Sequence, residues 1–187
     1  MREDAQWLTR MVENLLSVTR IDGAKVQVVK TPTVLDELID YVLLKFRKRC
    51  PDQEVLVSIP DDFITIPMDP ILIEQVLVNI LENAVDHAKG MTQLALNVYA
   101  RDDRIRFEVT DDGCGVPDER LVDLFSGSGM LQSDSTGNRR GMGIGLAVCS
   151  AIIKAHGGEI WGYNRTPKGA CFGFSLVMDD PAVEADE

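Results

Sequence analysis

Three short segments, met in a fixed order, constrain this chain more than any bulk property does. Asn79-Ile80-Leu81-Glu82-Asn83-Ala84 lies inside a stretch with helical periodicity. Asp111-Asp112-Gly113-Cys114-Gly115-Val116-Pro117 follows a strand-like run, and Gly141-Met142-Gly143-Ile144-Gly145-Leu146 opens a second helical stretch. The first segment sets Asn79 and Asn83 on one helix face, because residues four apart project the same way. The second is a carboxylate, Asp111, entering a turn where Gly113 and Gly115 permit positive φ and close backbone approach. The third places glycines at a helix start, where free N–H groups and the helix dipole favour anions.

The intervening sequence reads as a frame for these segments. Residues 1–21 have helical spacing, with Leu8, Met11, Val12, Leu15 and Val18 as an apolar stripe and Trp7 beside it. Too little local sequence follows to bury that stripe, so its expected partner lies upstream or on another chain; the alternative is an ordinary helix folded onto the main domain. Asp22-Gly23 breaks the helix. Lys25–Lys30 alternates as a short strand, and Thr31-Pro32-Thr33 reads as a turn and N-cap with Asp36 completing a capping box. A helix to about Arg49, a strand over Gln53–Ile59 and a short strand over Phe63–Ile66 follow. Asp69-Pro70 is a strong helix start, an acidic N-cap before proline. That helix runs to about Ala88. Thr92–Tyr99 and Arg104–Thr110 form a hairpin, and Asp118–Phe125 is a short helix. Residues 126–140 lack periodicity and are expected to be a mobile loop. Gly141–His156 is helical, and Glu159–Asn164 and Ala170–Met178 are strands joined at Thr166-Pro167-Lys168-Gly169. The order implies an α+β fold: a mixed, mostly antiparallel sheet with helices on one face, a two-layer α/β sandwich.

Composition excludes several classes. The chain of 187 residues is 45% hydrophobic, enough for one full core. Its net charge is −11 and no Lys/Arg cluster follows a predicted face, which argues against nucleic acid as main partner. Residues 179–187 hold five acids and no base, and are expected to be a disordered tail. Cysteines 50, 114, 149 and 171 form no CxxC pair, so a structural zinc site is not expected and reduced thiols are. No apolar run is long enough to span a bilayer and no signal-peptide pattern is present, which implies a soluble, cytoplasmic segment.

Each segment alone has a bland reading. A polar helix stripe is ordinarily a solvated face, DDG is a common turn signal, and GxGxG alone is weak. Together they describe one nucleotide site. Asn79 and Asn83 offer neutral oxygen to magnesium, which keeps waters and shares phosphate oxygens. A carboxylate at Asp111 can accept a hydrogen bond from an exocyclic amine such as that of adenine. Arg139 and Arg140 precede the last glycine segment and add charge suited to phosphate.

With these residues quoted, the sequence resembles the ATP-binding domain of sensor histidine kinases, in the GHKL or Bergerat superfamily. The three segments resemble its N box and its two glycine boxes, and Leu124-Phe125 resembles the start of its F box. Ala155-His156-Gly157-Gly158 and Gly169-Ala170-Cys171-Phe172 resemble its closing hairpin. The opening DAQWLTRMVENLLSVTRID is similar to the second dimerisation helix of potassium-sensing KdpD-type kinases. The resemblance implies three parts: residues 1–22 from a dimerisation domain, 23–178 as the ATP-binding catalytic domain, and 179–187 as the tail. It implies Asn83 as the magnesium ligand with Asn79 in support, Asp111 on adenine, and Gly113 and Gly115 shaping the adenine pocket. Gly141, Gly143, Gly145 and Leu146, with Arg140, would meet the phosphates, and residues 126–140 would be a lid over ATP. The reaction implied is transfer of the γ-phosphoryl group to a histidine, then relay to a response regulator. In the family that histidine lies on the first dimerisation helix, which has no counterpart here. Neither His87 nor His156 stands in its place, so self-phosphorylation at the normal site is not expected. The parent protein is expected to self-associate and to be attached to the inner membrane.

The pattern departs from the family in three places. Asp86 stands where a basic residue is usual, His87 where an aromatic is usual, and Ser128 at the second aromatic position of the F box. Two other functions fit parts of the pattern. Glu82 precedes Asn83 as the water-activating glutamate does in ATPases of the gyrase, Hsp90 and mismatch-repair type. A degenerate, non-catalytic dimerisation module is the other.

Overall fold

The computed structural model describes residues 21–22, 25–121, 123–125 and 142–178. The helix expected over 1–21 falls outside these residues except Ile21, which lies in a strand, and the lid expected over 126–140 and the acidic tail over 179–187 fall wholly outside them. A small ladder begins the described chain: β1 (Ile21–Asp22) pairs antiparallel with β2 (Lys25–Val26). The strand expected over Lys25–Lys30 stops there. Its continuation is drawn instead to a helix start, where the Val29 N–H donates to Asp69 Oδ2 at 3.3 Å.

The capping box is absent. Thr31–Val34 is a strand, β3, paired antiparallel with β5 (Thr65–Met68), so its threonines lie in a ladder. Thr33 Oγ1 donates to the Thr31 carbonyl at 3.0 Å, and the Leu35 N–H finds the Ile64 carbonyl at 3.0 Å. Helix α1 (Leu35–Arg49) therefore starts from Val34 without a side-chain cap. Its apolar stripe, Leu35, Leu38, Ile39, Val42 and Phe46, is fully buried. Acids in the first turn and bases in the last match the helix dipole. The strand expected over Gln53–Ile59 shrinks to β4 (Leu56–Ser58), because Gln53 is held in a turn by its N–H on the Cys50 carbonyl. The next strand shifts to Thr65–Met68, since Ile64 serves α1 and Phe63 is exposed.

Helix α2 (Pro70–His87) is the spine of the fold. Asp69 caps it, accepting from the Leu72 N–H at 3.2 Å, with proline at the first position. It packs against α1, against α4 (Met142–Ala155) and against the sheet. Ile73, Val76, Leu77, Ile80 and Ala84 are all buried, as the periodicity predicts.

The main sheet has five strands in the order β4, β6 (Leu94–Arg101), β7 (Arg104–Asp111), β9 (Ala170–Val177), β8 (Glu159–Asn164). Strands β6 and β7 form the expected hairpin, turned at Asp102 with φ +58. Strands β8 and β9 form the second hairpin, and β9 lies against β7. Only the β4–β6 pair is parallel. Burial alternates along β7, with Ile105, Phe107, Val109 and Asp111 inside. Phe107 stacks on Phe174 of β9 with centroids 4.7 Å apart. Between β7 and α4 the short helix α3 covers only Asp118–Leu121, and a turn takes over at Asp123–Phe125. The mixed, mostly antiparallel sheet predicted from the order of elements is thus present.

Asp69 and His156 join three parts of the chain. His156, just past α4, is buried; its Nε2 accepts from the Asp69 N–H at 3.1 Å and its Nδ1 lies 2.8 Å from the Ile152 carbonyl. Those contacts suit the neutral ring protonated on Nδ1. Burial is the chief cause that pushes the His156 pKa below its ordinary 6.5; the Ile152 carbonyl and the Asp69 carboxylate oppose it, while nearby Lys30 adds to it. In that situation the unfolded chain takes up a proton first as pH falls, so stability declines below about 6.5. We expect the melting midpoint to drop between pH 7.5 and 5.5, and the drop to be smaller in His156→Gln; thermal melts across that range provide the comparison.

Candidate functional site

The three segments converge on the C-terminal half of α2. Asn79 and Asn83 are half-buried and both look toward α4. Asn79 Nδ2 lies 3.9 Å from Cys149 Sγ, and a Cβ on Gly145 would lie 3.9 Å from Asn83 Nδ2. Asn83 therefore borders the first turn of α4, where backbone N–H groups lack helical acceptors, and Asn79 meets the same helix further along, at Cys149. Burial pushes the Cys149 thiol up to about 12, so that sulfur serves packing and not reactivity.

Gly113 closes the other side. A Cβ there would fall 2.7 Å from the Ala88 Cβ and 2.9 Å from the Ala88 carbonyl carbon and oxygen. Ala88 is the residue that ends α2, so only glycine lets the turn rest on that helix end. Cys114, exposed, donates its S–H to the His87 carbonyl at 3.7 Å.

Asp111 is 3% exposed at the end of β7. Its Oδ1 accepts from the Gly113 N–H at 2.8 Å and the Ala170 N–H at 3.4 Å. Its backbone carbonyl accepts from the Arg165 guanidinium at 3.0 Å. No described residue donates to Oδ2, so the carboxylate is gripped by one oxygen and keeps acceptor capacity on the other. Asp112 has a different task. Its Oδ1 accepts from the Thr92 and Gln93 N–H groups at 2.7 and 2.8 Å, and its Oδ2 from the Thr92 hydroxyl. The Thr92 hydroxyl bond, then these backbone bonds, hold its carboxyl well below the usual carboxylate range. Asp112 ties the turn to the start of β6, and the sequence carries no signal that separates it from Asp111.

The other residues singled out by sequence divide. Glu82 is buried and turned onto α1, where Arg49 meets its Oε1 at 2.9 Å. Leu146 is 1% exposed and belongs to the core, so its side chain does not line the site. Gly143 lies in the first turn of α4, while Arg139, Arg140 and Gly141 fall outside the described residues. Asp86 is exposed. Among the described residues no group of three His, Cys, Asp or Glu side chains could hold a metal. A magnesium ion at this site would be held by the amide oxygen of Asn83, with Asn79 in support, and by ligand oxygens. That donor set fits its chemistry.

The model of the histidine kinase-, DNA gyrase B- and HSP90-like ATPases matches residues 68–180, which contain all three segments. Over 177 residues, 95% of this chain, the sequence is 34% identical to the sensor protein KdpD of Clostridium acetobutylicum and covers 20% of that protein. Over 180 residues it is 31% identical to the adaptive-response sensory kinase SasA of Synechococcus elongatus, covering 95% of this chain and 46% of SasA. The crystal structure of full-length ShkA in complex with AMPPNP matches with a TM-score of 0.74 and 26% identity, over 95% of this chain and 38% of that one. The chain thus spans about a fifth of its KdpD relative and about half of its SasA relative.

Because the atoms against Gly113 are largely helix-end backbone, Gly113→Ala cannot be relieved by a rotamer change. We expect it to cost about 1–3 kcal/mol, read as a lowered urea midpoint.

Proposed function

For a chain that belongs to the family of histidine kinase-, DNA gyrase B- and HSP90-like ATPases, we propose the role of ATP-binding catalytic domain in a sensor histidine kinase. The observation that carries this reading is the meeting of the segments at one helix: Asn83 beside Gly145, and Gly113 on Ala88. On this reading Asp111 Oδ2 accepts from the adenine amine, because Oδ1 is already engaged. Gly113 and Gly115 shape the base pocket. Gly141, Gly143 and Gly145 present backbone N–H groups to the phosphates, with Arg140 adding charge. Asn83, supported by Asn79, holds magnesium, which supplies charge neutralisation when bound. Residues 126–140 act as the lid. Residues 1–22 come from a dimerisation domain, 23–178 form the catalytic domain and 179–187 the tail.

The intact parent transfers the γ-phosphoryl group to a histidine and passes it to a response regulator. Self-association through the dimerisation helix and attachment to the inner membrane belong to that parent. Among the described residues no helix is long and apolar enough to cross a membrane. The reading as a water-activating ATPase requires Glu82 at the nucleotide. Its ion pair with Arg49 points it away, across the α1–α2 contact, so transfer to a protein acceptor is the better-supported reaction.

Titration calorimetry with a non-hydrolysable ATP analogue tests the site. Asp111→Asn replaces a charged acceptor, and a bond of that kind is worth roughly 1.5–3 kcal/mol, so Kd should rise about 10- to 100-fold. ATP and GTP binding equally to the unmodified protein would contradict the base assignment. Asn83→Ala should abolish the gain in affinity that magnesium gives while leaving the far-ultraviolet circular dichroism unchanged. A retained magnesium effect would remove Asn83 from the ligand set.

A further inference from the structure

The Asp111–Pro117 turn is one wall of the site, yet only its beginning is held by the contacts described so far. Its second half is held from β8 by a single side chain. Asn164, the last residue of β8, accepts from the Val116 N–H through Oδ1 at 2.8 Å and donates through Nδ2 to the Val116 carbonyl at 2.7 Å. The same Nδ2 lies 3.4 Å from Asp118 Oδ1. One carboxamide thus pairs with both backbone groups of one residue, as a neighbouring strand would. Asn has the necessary donor and acceptor on one planar group; Asp has two acceptors and Ser a single rotating hydroxyl.

Gly115 fits the same device. It has φ +73, and a Cβ on it would fall 2.8 Å from Asn164 Oδ1. Its missing side chain therefore leaves space for the Asn164 amide as well as permitting the turn. The hairpin beyond Asn164 braces the first half of the turn: Arg165 reaches the Asp111 carbonyl and the Ala170 N–H reaches Asp111 Oδ1.

We propose that Asn164 is a positioning residue of the nucleotide site, whose two bonds to Val116 set the wall that the glycine turn presents to the base. The proposal rests on the nucleotide reading above and goes beyond it, because no contact with nucleotide is asked of Asn164. Two hydrogen bonds of ordinary strength correspond to roughly a tenfold change in Kd. The effect is confined to the base side, so adenosine and magnesium ATP should weaken by the same factor.

Calorimetric titration of Asn164→Ala and Asn164→Asp with adenosine and with magnesium ATP is the test. Both variants should raise Kd about tenfold for both ligands at a temperature where far-ultraviolet circular dichroism shows them folded. Aspartate should give no rescue, because its carboxylate faces the Val116 carbonyl. In the Asn164→Ala background, Gly115→Ala should cost less affinity than in the unmodified protein. Unchanged affinity in Asn164→Ala, or a loss for magnesium ATP alone, would overturn the proposal. Amide hydrogen exchange separates this from failure of the nucleotide reading. If the unmodified protein binds neither ligand, that reading falls and the base-side role falls with it. Faster exchange at Val116 in Asn164→Ala would still support the clamp on the turn, and unchanged exchange would refute it.

Discussion

The close approach of two glycines to one helix is the constraint on which the site depends. Gly113 lies on the backbone at Ala88, and Gly145 lies beside Asn83. Both contacts involve the C-terminal end of α2, from Asn83 to its cap at Ala88. Nine of the 18 residues of α2 are buried, and an unpaired polar group among them would be costly. Asn79 and Asn83 are half-buried on the side that meets α4, Asn83 beside Gly145 and Asn79 beside Cys149.

The position of α2 is fixed at its other end by hydrogen bonds. Asp69 caps the helix with Oδ1, receives the Val29 N–H on Oδ2, and offers its own N–H to His156. Three segments far apart in sequence meet at this one buried acid. His156 sits at the end of α4, so the two helices that border the site are joined on the far side of the core. The joint needs a neutral imidazole to accept from Asp69, which gives a buried histidine a structural task in place of a phosphoacceptor one.

Hairpins supply the remaining side. The β8–β9 pair reaches the Asp111 turn through Ala170, Arg165 and Asn164, all near one turn of the chain. Asp112 links the same turn to β6. The turn between β7 and α3 is therefore held from three directions before any ligand arrives. Such preorganisation lowers the ordering cost of binding. The Arg49–Glu82 pair adds a link between α1 and α2 and removes the acid next to Asn83 from the site.

Much was legible in the residues alone. Helices α1 and α2, the two hairpins and the glycine-led α4 follow from periodicity, from Asp69-Pro70 and from turn chemistry, which are local properties. The motif set pointed to a nucleotide because each segment carries its chemistry within a few residues. What failed were elements decided by distant partners. Thr31–Thr33 became a strand and not a cap because Thr65–Met68 lies beside it, and the strand begun at Lys25 ends at Val26 while Val29 bonds to Asp69. The roles of neighbouring acids also needed the fold. Sequence places Asp111 and Asp112 together, and Glu82 beside Asn83, but only packing decides that Asp111 holds Gly113 and Ala170 through one oxygen, Asp112 ties the turn to the start of β6 and Glu82 pairs with Arg49. Hydrogen bonds between residues tens of positions apart leave no periodic trace in the chain, so Asn164 and His156 acquired their functions only when the hairpin and helices came together.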